Sequence, residues 1–214
     1  NKLVLSLTVS IAVAVALSML FSIGFLSAYN VAIADSLYGG KEPIEDVVIV
    51  SIDDKSIQEI GRWPWDRDVH AQLLQKLKDH ARIVAFDITF SEPSPHDAEF
   101  EEAINETKDV ALVVEYTGFS VQDGMLYGEE ILKPVLKADY YLGFANVIPD
   151  SDGVVRSFLP YIESVEGYDS LAVAVSEEFL DQAVDLGSDR VLINYAGGTR
   201  TFPYYSYSDI LNGR

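Results

Sequence analysis

The sequence contains no cysteine. That excludes disulfides, thiolate zinc sites, iron–sulfur ligation and a cysteine nucleophile together. Histidine is scarce as well. His70, His80 and His96 are the whole set, and no two have the short spacing of a helical metal motif. Basic residues are few: 15 Lys and Arg face 34 acids, for a net charge of −19. Phosphate neutralisation needs a basic face, so a nucleic-acid partner is excluded. The sequence has no Gly-x-Ser-x-Gly elbow, no Gly-rich phosphate loop and no Gly-x-Gly-x-x-Gly fingerprint, and nothing local supports Ser-His-Asp catalysis. No catalytic residue is assigned.

What is present is enough to fold. Of 214 residues, 49% are apolar and 23% charged, which fits one domain with a buried core plus an accessory segment. The accessory segment is N-terminal. Between Lys2 and Asp35 no residue is charged, and Leu3 to Ala28 is almost wholly apolar. About twenty such residues cross a bilayer as a helix. Ser6, Thr8, Ser10, Ser18 and Ser22 are tolerated there by back-bonding to their own helix. Ala32-Ile33-Ala34 resembles a signal cleavage site, but a signal core is about 7–15 residues long and this run is nearer twice that. The expected reading is a retained transmembrane helix and anchor over residues 1–34. Lys2 is the only charge on its short side, which places the acidic remainder outside the cell, extracellular or periplasmic. The chain starts at Asn1 rather than Met, so further residues are expected upstream.

Residues 35–46, with Gly39-Gly40 and Pro43, read as a linker. The domain at 47–214 is expected to be α/β, with a mainly parallel central sheet, helices on both faces and a β-hairpin arm. Val47 to Ile52 reads as a strand buried on both faces. A helix follows over about 66–79 with Val69, Leu73, Leu74 and Leu77 on one side. A strand at 83–86 leads to a helix over about 97–106, with Phe100, Ala103 and Ile104 inward, and then to a strand at 110–114. Segments 141–147 and 154–162 read as the hairpin, turning at Asp150-Ser151-Asp152-Gly153. A helix over about 170–180 and a strand at 191–195 complete the pattern.

Two constellations stand out. Asp53, Asp87 and Glu115 fall just past the ends of the three expected parallel strands, where ligands bind in open α/β sheets. They are the candidate ligands for a divalent cation. The competing role for such acids is to cap the next helix. Asp150-x-Asp152-Gly153 opens like a calcium loop, but the later ligands of that motif are missing, so a tight turn explains it better. The denser cluster is Ile60 to His70, which holds both tryptophans of the chain. Trp63, Trp65, Arg67 and His70, with Asp53 and Asp87, are the candidate binding residues, an aromatic and cationic cradle. Against this, Asp66 as a helix cap and the indoles as core fill the same pattern.

The run Val48-Ile49-Val50-Ser51-Ile52-Asp53-Asp54, then Gly61-Arg62-Trp63-Pro64-Trp65, Arg67 and His70, resembles the second type of CHASE domain. So do Val84 to Ser94, Pro149 to Arg156, Ile193 to Gly197 and Phe202 to Tyr207. The resemblance covers roughly residues 44–214, in order. It implies an extracellular sensory domain of bacterial and archaeal membrane receptors, coupled to a cyclase, diguanylate cyclase or kinase output. It supplies no catalytic residue and no ligand. His80-Ala81 stands where the family usually has a Gly, and the family continues beyond Arg214, so the domain is expected to be incomplete at its C-terminal end.

The function expected is therefore a membrane-anchored sensor without enzymatic activity of its own. Its partners are the membrane, an unknown extracellular ligand or protein, and a second copy or partner chain. No cofactor is required beyond a possible divalent cation. The alternatives are a structural or interaction subunit, to which an exposed Tyr204, Tyr205 and Tyr207 cluster is suited though core packing is the favoured role for it, and a metal-dependent hydrolase.

Overall fold

The computed structural model describes residues 2–22, 43–122, 125–150 and 152–214. They fall into two units: Asn1–Ile44 with Asn194–Thr201, and Glu45–Ile193 with Phe202–Arg214.

In the first unit, α1 (Lys2–Ser22) is apolar all round. Its Lys2–Leu20 stretch has a mean hydropathy of 2.5 and none of it is buried. At 1.5 Å per residue the helix is about 31 Å long, which matches a hydrocarbon core of about 30 Å. Ser6 donates to the Leu3 carbonyl at 3.0 Å and Thr8 to that of Val4 at 2.7 Å, so these hydroxyls are satisfied within the helix. By length and composition α1 can cross a membrane. The rest of the expected anchor, with Ala32-Ile33-Ala34, and residues 35–42 of the expected linker lie outside the described residues. In the other segment of this unit, the Thr201 amide and hydroxyl both donate to the Gly198 carbonyl, at 3.3 and 2.6 Å.

The second unit runs β1 (Ile49–Ser51), α2 (Asp54–Ile60), α3 (Arg67–Leu77), β2 (Val84–Phe86), α4 (Asp97–Thr107), β3 (Val110–Gln122) and β4 (Met125–Leu132). It continues with β5 (Tyr141–Phe144), β6 (Ser157–Phe158), β7 (Tyr161–Ser164), β8 (Tyr168–Asp169), α5 (Leu171–Leu180), β9 (Val191–Leu192), β10 (Tyr204–Ser206) and α6 (Tyr207–Leu211). β3 is the centre. It takes β2 and β5 in parallel on its buried N-terminal half, Leu112 standing beside both Phe86 and Leu142. Its second half turns back as an antiparallel hairpin with β4, whose Tyr127 and Gly128 pair in parallel with β7.

The domain is mixed α/β, and the expected mainly parallel sheet is corrected. The β3–β4 hairpin and the β7–β8 pair are antiparallel, and β3 runs on past the core into the hairpin. The hairpin arm is β3–β4, not 141–162. Tyr141 to Phe144 instead joins the core sheet beside Ala111 to Val114, where Phe144 is buried and Leu142 partly so. Nor is the first strand buried on both faces. β1 pairs only with β10 among the described residues, and Val47, Val48 and Ile49 are 42–50% exposed.

The helices follow their patterns. Leu73 and Leu74 of α3, and Phe100, Ala103 and Ile104 of α4, pack with Val84, Phe86, Val110 and Leu112 in one core. On the opposite side of the sheet, Gly143 pairs with Val113, and a Cβ there would lie 2.5 Å from the Leu171 Cα. Only glycine lets the start of α5 approach the strand so closely. Ser170 caps α5, its hydroxyl accepting from the Val173 amide at 3.3 Å.

Gly143→Ala is expected to cost about 1–3 kcal/mol through overpacking against this backbone. Chemical denaturation measures it, and an unchanged midpoint would mean that the strand and helix are not in contact.

Candidate functional site

The tryptophan-rich turn is built from its caps. Asp66 has extended backbone and accepts from the Arg67 amide at 2.8 Å, which starts α3. Upstream, Gly61 ends α2 at φ +124°, a conformation that a side chain would disfavour. Its carbonyl accepts the Trp65 indole N–H at 2.8 Å, so this buried indole is anchored without leaving a donor unpaired. The Trp63–Pro64 peptide is cis. The two indoles meet edge-on, centroids 5.2 Å apart.

One turn into α3 sits His70, fully buried. Rings of Trp63, Trp65, Phe86, Phe90, Phe100 and Tyr207 surround it at 5.3–6.5 Å. Its Nδ1 lies 2.8 Å from the Tyr207 hydroxyl, while Nε2, on the far side of the ring, has no hydrogen-bond partner among the described residues. Desolvation, reinforced by the Arg67 charge and opposed by Asp66, lowers the imidazole pKa from 6.5 to about 4. His70 is therefore neutral near pH 7.

A cleft of about 610 Å³ opens beside this cluster, within the range of small-molecule sites. Its walls are Ile52 and Ile57, then Trp63, Pro64, Trp65, Arg67 and His70, then Asp87, Ile88, Thr89 and Phe90. The Arg67 guanidinium lies 4.5 Å over the Phe90 ring, contacts Asp97 at 3.3 Å and donates to the Glu92 carbonyl at 3.0 Å. Its charge is compensated. The Asp87 carboxylate is exposed, and no hydrogen bond or ion pair engages it among the described residues. At the rim, Thr89 donates to Glu115 at 3.3 Å.

Five of the six candidate binding residues thus share one cleft: Trp63, Trp65, Arg67, His70 and Asp87. Asp53 does not line it. It caps α2, accepting from the Ser56 amide at 2.8 Å and hydroxyl at 2.7 Å and from the Ser206 hydroxyl at 2.5 Å. These bonds, Ser206 first, hold its pKa at about 2. Of the expected cation set, Asp53 is turned to its helix cap, Asp87 lines the cleft, and Glu115 stands at the rim through Thr89. The grouping that does converge among the described residues is Asp66, Asp68 and His96. Asp66 is already held there by Ser94 at 2.5 Å and His96 at 2.7 Å. Asp150 and Asp152 are clamped by Arg156 at 2.9–3.1 Å, which fits a turn rather than a calcium loop.

Sequence reasoning missed α6 and the role of Tyr207, since nothing local pairs a residue with His70 from 137 positions away. Ile52, Ile57, Ile88 and Phe90 also went unassigned, because apolar residues beside strands read as core.

The sequence matches the CHASE2 domain over residues 11–213, most of its length and all of the cleft. The chain belongs to the CHASE2 family. CHASE2 domains are extracellular sensory domains of signalling receptors. No curated protein and no solved structure matches this CHASE2 chain significantly.

Neutral burial of His70 makes stability depend on pH. The unfolded chain takes up a proton below 6.5 and the folded one only near 4, so stability falls as pH drops through that window. The loss is of order 3 kcal/mol. His96 acts in a different window: its pKa is raised by Asp66, so that contribution is complete below 6.5 and fades as pH rises above it. Urea denaturation at pH 4.5 and 6.5 is expected to show the His70 loss, and His70→Phe is expected to flatten it. An equal slope in both proteins would overturn the assignment.

Proposed function

We propose that this chain is the sensory part of a membrane receptor, with α1 as its anchor and the second unit outside the cell. The family match carries the reading. The helix is apolar enough to span a bilayer, Lys2 is its only charge, and the remainder is strongly acidic. The cleft is the ligand site. Its walls come from three separate stretches of chain, at 52–57, 63–70 and 87–90, so a ligand that touches all three favours whichever packing brings them closer. The first of these stretches follows β1, the strand next in sequence to the anchor and linker. A shift there has the shortest covalent route to the membrane, and through it to a cytoplasmic cyclase, diguanylate cyclase or kinase output outside residues 1–214. On this reading the domain itself carries no catalysis.

A second reading has support from one feature. β1 and β10 form a two-stranded sheet with Val47, Val48, Ile49, Tyr204 and Tyr205 exposed, which suits contact with a second copy or another protein. That contact is compatible with a receptor.

The absence of cysteine gives a direct test of orientation. A single thiol introduced by Val165→Cys, at a residue 89% exposed, is expected to react with a membrane-impermeant maleimide on intact cells. Reaction only after lysis would place the domain inside and end the sensor reading. In the receptor, Trp63→Ala is expected to leave the output fixed whatever the stimulus, and a normal response in that variant would move sensing away from the cleft.

A further inference from the structure

We propose that the cleft takes an apolar organic monocation, an ammonium group carried on a hydrocarbon or aromatic body. This rests on the cleft being the ligand site. The charges within it decide the sign. Arg67 is spent on Asp97, the Glu92 carbonyl and the Phe90 face, so it offers little to an anion. Asp87 lines the same cleft with no counter-ion among the described residues, and Glu115 adds a second carboxylate at the rim through Thr89. The uncompensated charge is therefore negative. A neutral His70 adds no repulsion to a cation.

The body of the ligand follows from the walls. Trp63 and Trp65 form a corner of two indoles at 81°, and Ile52, Ile57, Pro64 and Ile88 complete an apolar lining. Indole faces attract cations through the ring quadrupole, most strongly where water is excluded. A metal ion would gain nothing from such walls, whereas a substituted ammonium uses both the rings and the carboxylate. The orphaned Nε2 of buried His70, in the same wall, is a further polar atom with unused hydrogen-bonding capacity. When Nδ1–H donates to Tyr207, Nε2 is an acceptor, which suits an ammonium N–H. The net charge of −19 draws cations to the domain as a whole.

Both tryptophans of the chain line this cleft, so their fluorescence reports on it alone. The full chain in a neutral detergent is titrated with benzylammonium, benzoate and benzyl alcohol. Benzylammonium is expected to change the emission saturably and to bind about tenfold or more tighter than the other two. Asp87→Asn is expected to remove that preference. Glu163→Gln, the same charge change at an exposed site, is expected to keep it. If benzoate or benzyl alcohol binds tightest, the ligand class is wrong but the cleft remains the site. Equal losses in the two variants would reduce the effect to bulk charge and overturn the proposal. If none of the three probes alters the emission saturably, both the ligand class and the cleft reading fail.

Discussion

The buried pairing of His70 with Tyr207 is the interaction on which the second unit depends. Two polar side chains, 137 positions apart, are withdrawn from water and given to each other, with five further aromatic rings around the imidazole. Such a pair is costly to break, because either partner left alone keeps its desolvation penalty. It fixes α6 against α3, and α6 in turn is tied to α2 where the Ser208 amide donates to Ser56 at 3.1 Å. Ser56 also bonds the Asp53 cap, and Asp53 accepts from Ser206 at the end of β10. The small β1–β10 sheet is thus held in place by hydroxyl and carboxylate bonds at its end as well as by Val50 packed against the core.

That economy explains the position of the cleft. Among the described residues the first strand pairs with β10 rather than with the central sheet, and a gap is left between its end, the tryptophan turn and the loop after β2. The gap is walled by side chains that already have structural duties. Trp65 is anchored to Gly61, Arg67 is stacked and paired, and His70 is locked by Tyr207. Trp63 is half-buried against Trp65 and His70, and Asp87 is exposed without a counter-ion among the described residues. A site made this way is preorganised, since binding has few side chains to immobilise.

Much of this was legible in the sequence where the signal is local. The apolar run gave α1. The spacing of Phe100, Ala103 and Ile104 gave the buried face of α4, and Asp66 was readable as the cap of α3. The Trp63-to-His70 turn was recognisable as a candidate site because aromatic, basic and imidazole groups are crowded into a few residues. Strand pairing was not legible. Val47 to Ile52 has the composition of a central strand, yet it pairs with β10, because β-branched residues tell of sheet and not of neighbours. Glu115 looked like a strand end only because the apolar run stops there, while β3 continues through polar residues of its hairpin.

The sequence by itself determined the membrane-compatible helix, the acidic character of the domain, the helix faces and the CHASE2 resemblance, since each is written in composition, period or ordered motifs. Only the tertiary structure decided which carboxylates are engaged. Asp53 and Asp87 occupy equivalent places after apolar strand-like runs, and nothing local distinguishes them. Folding brings Ser206 to Asp53 and gives Asp87 no partner among the described residues. One acid is thereby spent on holding the chain together, and the other is left facing the cleft, because hydrogen-bond partners are supplied by distant segments.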